Sequence, residues 1–286
     1  MRKRKKFNVG TFVIYVILSI WALTTIYPLF WVLENSFKAK DKILQQSFAL
    51  PIGDLFTLAN YKRAFDRLDI GRAYVNSIFI STCVTIGVMI LAGLASFALV
   101  RFDFKLKSFC QTMVVAAMMF PVFSTIIPVY TMETSWHITN TASWGLNMLS
   151  VILPQIAGNI SFAIIVLMGY VQSLPIELEE AAHLEGCSIP QIFVKIIVPL
   201  GKPSFVTVAI FSFLWSYNDL FTQMFFLRRP EMQAITRLLN ELTSKEGTNY
   251  GLMASAVTLV IIPVIIVYIF LQKYIIKGMT AGAVKG

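Results

Sequence analysis

"SIFISTCVTIGVMILAGLASFALV", residues 77–100, is the centre of a run without charge that extends from Ala73 to Val100. At about 1.5 Å per residue an α-helix of this length exceeds the hydrocarbon core of a bilayer, about 30 Å. Lipid offers the backbone no hydrogen-bond partner, so a run this long must be a membrane-spanning helix rather than a barrel strand. The chain around it agrees. Its 286 residues are 57% hydrophobic and 14% charged, far less charge than a soluble domain carries.

Outward from this run, five more stretches reach the length of a span: Phe12–Leu33, Cys110–Met132, Leu149–Val171, Pro203–Leu227 and Leu252–Leu271. The first follows "MRKRKK" but is too long for a signal-peptide core and precedes no small-residue cleavage site, so it reads as a retained span. The sequence therefore predicts an all-α polytopic membrane protein of six helices. Pro121, Pro128 and Pro154 are positioned to kink spans, and Gly87, Gly93 and Gly169 to let helices approach closely.

Charge sets the orientation. "MRKRKK" holds five basic residues and "RFDFKLK" (101–107) three, whereas "ETSWHITNTASWGLN" (133–147) has none. Both termini, the 101–107 loop and the 172–202 loop are thereby expected in the cytoplasm. Residues 34–72 hold seven Lys or Arg and 226–251 hold four, but these are mixed with acidic residues. The net charge of +9 needs no nucleic acid, since no basic patch alternates with aromatics. Three cysteines and two separated histidines form no metal or disulfide pattern.

One passage does not fit lipid. "PIELEEAAHLEGCSIPQIFVKIIVP", residues 175–199, carries Glu177, Glu179, Glu180 and Glu185 between two spans. Ser173 and Pro175 are placed to start a first short helix, with carboxylates at the positive end of its dipole. Gly186 is placed to end it in a left-handed conformation. Ser188 and Pro190 restart a second helix, whose Ile189, Ile192, Phe193, Ile196 and Ile197 form one apolar stripe, and Pro199 is expected to end it. The first helix would show the small Ala181 and Ala182 beside carboxylates, as a docking knob does. An amphipathic loop bracing the bundle explains the same pattern equally well.

"Glu180-Ala181-Ala182", Gly186 and "Ile196-Ile197-Val198-Pro199" resemble the EAA loop of ATP-binding-cassette (ABC) importer permeases, with Glu185 where Asp is usual and Val198 where Leu is usual. "YPLFWVLENSFK" (27–38), "NYKRAF" (60–65), "NSIF" (76–79), "SFALVRFDFK" (96–105), "WSYNDLF" (215–221) and "KGMTAGAVKG" (277–286) are similar to the maltose-type carbohydrate permeases, over essentially the whole chain. The resemblance implies a type I importer permease fold in a bacterial or archaeal cytoplasmic membrane. It implies an N-terminal tail, first span and outer loop over 1–70, a transmembrane core over 71–271 containing the EAA loop at 175–202, and a cytoplasmic tail over 272–286. It also implies a second permease, two ATPase subunits, one of them docked on Glu180, Ala181, Ala182, Glu185, Gly186 and Pro199 of this chain, and an extracytoplasmic binding protein. ATP and Mg would be bound by the ATPases, and this chain would carry no cofactor and catalyse nothing. It has no Gly-rich phosphate loop followed by Lys and Ser/Thr.

Asp219 is the acidic residue of the expected fifth span, about 24 Å along it from Pro203. With Asn218 it could line an outward vestibule and meet sugar hydroxyls; equally, it could pair within the bundle or cap a kink. A secondary transporter or a channel subunit are the alternatives to an ABC permease. The first would need a complete pathway with internal repeats, which the six stretches do not show.

Overall fold

The computed structural model describes residues 9–67, 69–238, 240 and 249–283, so "MRKRKK", Leu68 and the last three residues lie outside the described part. The chain divides by packing into two units, residues 1–68 with 239–262, and residues 69–238 with 263–286. Among the described residues the secondary structure is helical, with no strand.

In the first unit, α1 (Val9–Ser36) exposes apolar side chains on every side, as a lipid-facing span does. Only its last residues, Glu34, Asn35 and Ser36, are buried. The chain then turns through α2 (Lys40–Gln45) and α3 (Ala59–Arg67) around the ammonium of Lys38, whose side chain is fully buried. Lys38 Nζ donates to Asn35 Oδ1 (3.1 Å), Gln46 O (3.2 Å) and Ser47 O (3.2 Å), and lies 3.8 Å from Glu34. Asn60 Nδ2 ties the turn by donating to Ser36 O and Lys38 O. Gly251 sits against this knot at the start of the last helix: a Cβ there would lie 2.7 Å from both Asn60 Nδ2 and Lys38 O. The segments 27–38 and 60–65, far apart in sequence, thus build one polar lock.

The second unit is organised by α4 (Ile70–Arg101), α7 (Trp144–Ser173) and α11 (Lys202–Asn218). Ile80, Val84, Val88 and Ala92 recur on one face of α4 and pack with Met148, Val151, Ile164 and Leu167 of α7 and with Val208 of α11. Gly93 lets α11 come close, since a Cβ would lie 3.1 Å from Phe205; Gly87 similarly meets Ile156. Gly169 has open space around it, so its expected role in close packing is not observed.

Helices α4 and α7 run parallel. Trp144 Nε1 donates to Asn76 Oδ1 (2.8 Å) at their N-terminal ends, and Arg101 Nη2 donates to Leu174 O (3.0 Å) at their C-terminal ends. The intervening α5 (Lys107–Ala117) and α6 (Val122–Ser135) therefore return the chain from one end of the unit to the other. They are not the single helix expected over Cys110–Met132. The two pieces are bent by 104°, at Met118–Pro121, where Pro121 has no N–H to continue the ladder. Among the described residues four helices reach span length and apolarity, or up to six spans if each bent pair counts as one.

The expected fifth span is also interrupted. α11 stops at Asn218, and a separate α12 (Leu220–Phe226) follows Asp219, which has ψ of 98°. The last helix, α13 (Tyr250–Ala283), runs on into the segment 272–286 expected as the cytoplasmic tail.

Candidate functional site: the 174–201 elbow

Two short helical pieces join α7 to α11. Helix α8 (Glu177–Leu184) begins after Ile176, not at Ser173, whose hydroxyl instead donates to Tyr170 O inside α7. Gly186 has φ of 85° and closes α8 with both bonds of a Schellman cap: Gly186 N–H donates to His183 O and Cys187 N–H to Ala182 O, each at 3.0 Å. Ser188 restarts the chain in a capping box with Gln191, its own N–H donating to Gln191 Oε1 at 2.8 Å.

The second piece is helical from Ile189 (α9, Ile189–Ile192) through α10 (Val198–Leu200). Pro199 does not end it. Lacking an N–H, Pro199 is accommodated by a π-helical stretch at Phe193–Ile197, across which Val198 N–H reaches back to Phe193 O. The turn falls at Gly201, where a Cβ would lie 2.3 Å from the Tyr170 ring. The chain then leaves into α11, bent by 82°.

The elbow is seated on the C-terminal ends of α4 and α7. Ile192 and Ile197 are buried, Phe193 and Ile196 half-buried, and the Phe193 and Phe97 rings are 5.5 Å apart. The stripe therefore packs on the bundle's end, with Ile189 left exposed. Ala182 turns inward too, packing in this cluster beside Cys187; of the two alanines, only Ala181 is exposed.

Two residues not singled out in the sequence complete the site. Arg101, at the end of α4, donates through Nε to Glu179 Oε1 at 2.6 Å, and the two side chains are 11% and 12% exposed. That pair ties α8 to α4, and places the 101–107 loop and the elbow at the same end of the unit, as the charge argument requires. Leu184, the last residue of α8, is 89% exposed. With Glu180 and Glu185, also exposed, it makes an apolar tip with carboxylates beside it. A basic residue ending the second span and an aliphatic one before the elbow glycine were the available signals.

Asp219 lies elsewhere in the unit. Its Oδ1 accepts from Thr222 N–H (3.0 Å), capping α12, and its Oδ2 accepts from Gln155 Nε2 (2.9 Å) of α7. Ser216 Oγ donates to the same amide's Oε1. Asp219 also lines a cavity of about 630 Å³ bordered by both helix breaks; Asn218 does not, and bonds its own helix at Leu214 O.

Comparison with known proteins gives a consistent result. The family described as binding-protein-dependent transport system inner membrane component matches residues 84–281. The chain is 31% identical to a galactooligosaccharide transport system permease protein of Bacillus subtilis, over 95% of this chain and 94% of that one. It is 28% identical to an arabinooligosaccharide transport system permease protein of the same organism, over the whole of both. A chain in the crystal structure of a bacterial ABC transporter involved in import of the acidic polysaccharide alginate has the same fold. Its TM-score is 0.79 at 22% identity, covering 95% of this chain and 99% of that one. The chain belongs to the family of binding-protein-dependent transport system inner membrane components.

Proposed function

We propose that this chain is the permease subunit of an ABC importer in a bacterial or archaeal cytoplasmic membrane. With a second, related permease it forms the pathway for an oligosaccharide or related carbohydrate delivered by an extracytoplasmic binding protein. The names of the galactooligosaccharide and arabinooligosaccharide relatives support the sugar class. A solved transporter of similar fold, in complex with an alginate pentasaccharide-bound periplasmic protein, supports the binding protein (TM-score 0.65, 14% identity). Family membership sets aside the secondary-transporter and channel readings.

The elbow carries the mechanical part of the proposal. Its exposed tip of Glu180, Leu184 and Glu185 is the surface a cytoplasmic ATPase subunit grips, two ATPases serving the two permeases. ATP and Mg belong to those ATPases. An exposed apolar side chain of this kind contributes most when a partner's pocket fully desolvates it. Because Glu179 is tied to Arg101, displacement of α8 is passed to α4 rather than absorbed by a slack loop. The 101–107 loop, the elbow and both chain ends then face the cytoplasm.

Leu184→Asp and Glu180→Ala test this in the assembled importer. Leu184→Asp is expected to abolish co-purification of the ATPase while leaving the membrane-inserted chain intact, and Glu180→Ala to weaken it. Full ATPase retention and native uptake in both variants would refute docking at this tip.

A further inference from the structure

The cavity at the two helix breaks is lined by both polar side chains and aromatic rings. Its lining includes Gln155 and Asn159 of α7, Phe162 one turn beyond, Trp215 of α11 and Asp219 at the α11–α12 break. Gln155 is paired at both ends, its carbonyl oxygen with Ser216 and its amide nitrogen with Asp219. Asn159 is not. Its Nδ2 donates to Gln155 O at 2.7 Å, while its Oδ1 is buried without a partner, in a side chain 8% exposed. A buried acceptor left unpaired costs roughly 1–3 kcal/mol, so such a group in a cavity wall is a place for an incoming donor. Trp215 packs at 5.1 Å from Phe162 yet remains 48% exposed, which leaves indole surface open.

We infer that this cavity is a sugar subsite contributed by this subunit, and that it takes an uncharged saccharide rather than an acidic one. A sugar hydroxyl donates to Asn159 Oδ1, and the apolar C–H face of the ring lies against Trp215. The charge preference follows from the lining. Asp219 contributes a carboxylate, and none of the described lining residues is Lys, Arg or His. In a site walled mostly by apolar groups, a uronate would meet like charge without a cation to offset it. The inference rests on the carbohydrate-importer reading above and narrows it.

The test uses the complete importer in proteoliposomes with its own binding protein. The probes are four neutral saccharides, maltotriose, galactotriose, arabinotriose and chitotriose, and two acidic ones, trimannuronate and trigalacturonate. Uptake restricted to one or more neutral probes is expected. Uptake of an acidic probe at a rate equal to or above the neutral ones overturns the charge inference. Uptake of none of the six overturns the carbohydrate function itself, a separate failure. With a transported probe, Asn159→Ala and Trp215→Ala are expected to lower uptake about tenfold or more with assembly and ATP hydrolysis retained. Trp215→Tyr, which keeps an aromatic face, is expected to hold at least half the native rate. Native uptake in both alanine variants, or loss in Trp215→Tyr as deep as in Trp215→Ala, overturns the subsite.

Discussion

Removing the Arg101 guanidinium should loosen α8 locally, and the size of the effect follows from the geometry. Arg101 makes one bond from α4 to α8, Nε to Glu179 Oε1 at 2.6 Å, and one to the end of α7, Nη2 to Leu174 O at 3.0 Å. Both charged side chains are nearly nine-tenths buried, so the pair is not discounted as a surface ion pair would be. Charged hydrogen bonds contribute about 1.5–3 kcal/mol, and breaking a buried pair from one side costs about 3–5 kcal/mol. Residual exposure and the favourable place of Glu179 in the first turn of α8 set the expectation at the low end, about 2 kcal/mol. Amide hydrogen exchange reads this as local opening. In Arg101→Met, the α8 amides should exchange about thirtyfold faster, while buried α4 and α7 amides stay protected. Glu179→Gln keeps an acceptor and should cost about 1 kcal/mol, and the double variant should fall short of the sum by at least that much. Additivity of the two within about 0.5 kcal/mol would show no coupling and refute the pair as the root of the elbow.

Gly186→Val should uncouple ATP hydrolysis from uptake: nothing lies within 4 Å of a Cβ there, so the effect is backbone strain of about 1–3 kcal/mol on the left-handed cap. Coupled uptake at the native ratio would count against the elbow as the transmission point. Gly251→Ala should lower the thermal stability of the purified protein by about 1–3 kcal/mol, since its Cβ would press Lys38 O and Asn60, whereas Gly158→Ala, with open space, should be neutral. Burial pushes the Lys38 ammonium below its ordinary value of 10.5, with Glu34 opposing the shift. The unfolded chain therefore holds this proton more tightly, and stability should rise as pH climbs through the interval just below 10.5. Thermal melts across that interval should show the rise in the native chain and lose it in Lys38→Met.

The long apolar runs made the number and helical nature of the crossings legible, because length and lack of charge leave no other backbone solution in lipid. Gly186 was legible for a similar reason: a left-handed cap excludes most other residues. Local signals failed where tertiary packing decided. Ser173 looks like a helix start, but α7 runs through it and uses its hydroxyl inside the helix. Pro199 looks like a stop, but a π-stretch absorbs its missing donor. Ala182 looks like a docking surface, but the Schellman cap brings Cys187 against it and turns it inward. Arg101 and Glu179 are 78 residues apart, and no local pattern announces their pairing.

The two largest departures from the sequence reading share one location, and that coincidence has a physical reason. Hydropathy sees a continuous run at 110–132 and again at 203–227, because both breaks are flanked by apolar residues. Each break frees backbone groups that lipid cannot satisfy, so irregular backbone at this depth is stable only where protein or a polar cavity receives it. At Asp219 the side chain itself caps the new helix and Gln155 holds the carboxylate, while the carbonyl of Ser216 accepts from Asp219 N–H at 3.3 Å and from Gln223 Nε2 at 3.0 Å. At Met118–Pro121 the chain opens toward the same cavity, which Met118 and Phe120 line together with Asp219. A static bundle would gain nothing from two interrupted crossings meeting at one void, and would be more stable with both helices continuous. The broken helices are instead what a pathway through the membrane requires: a place where polar groups face one another inside the protein and where helices already lack the bonds that would resist their movement.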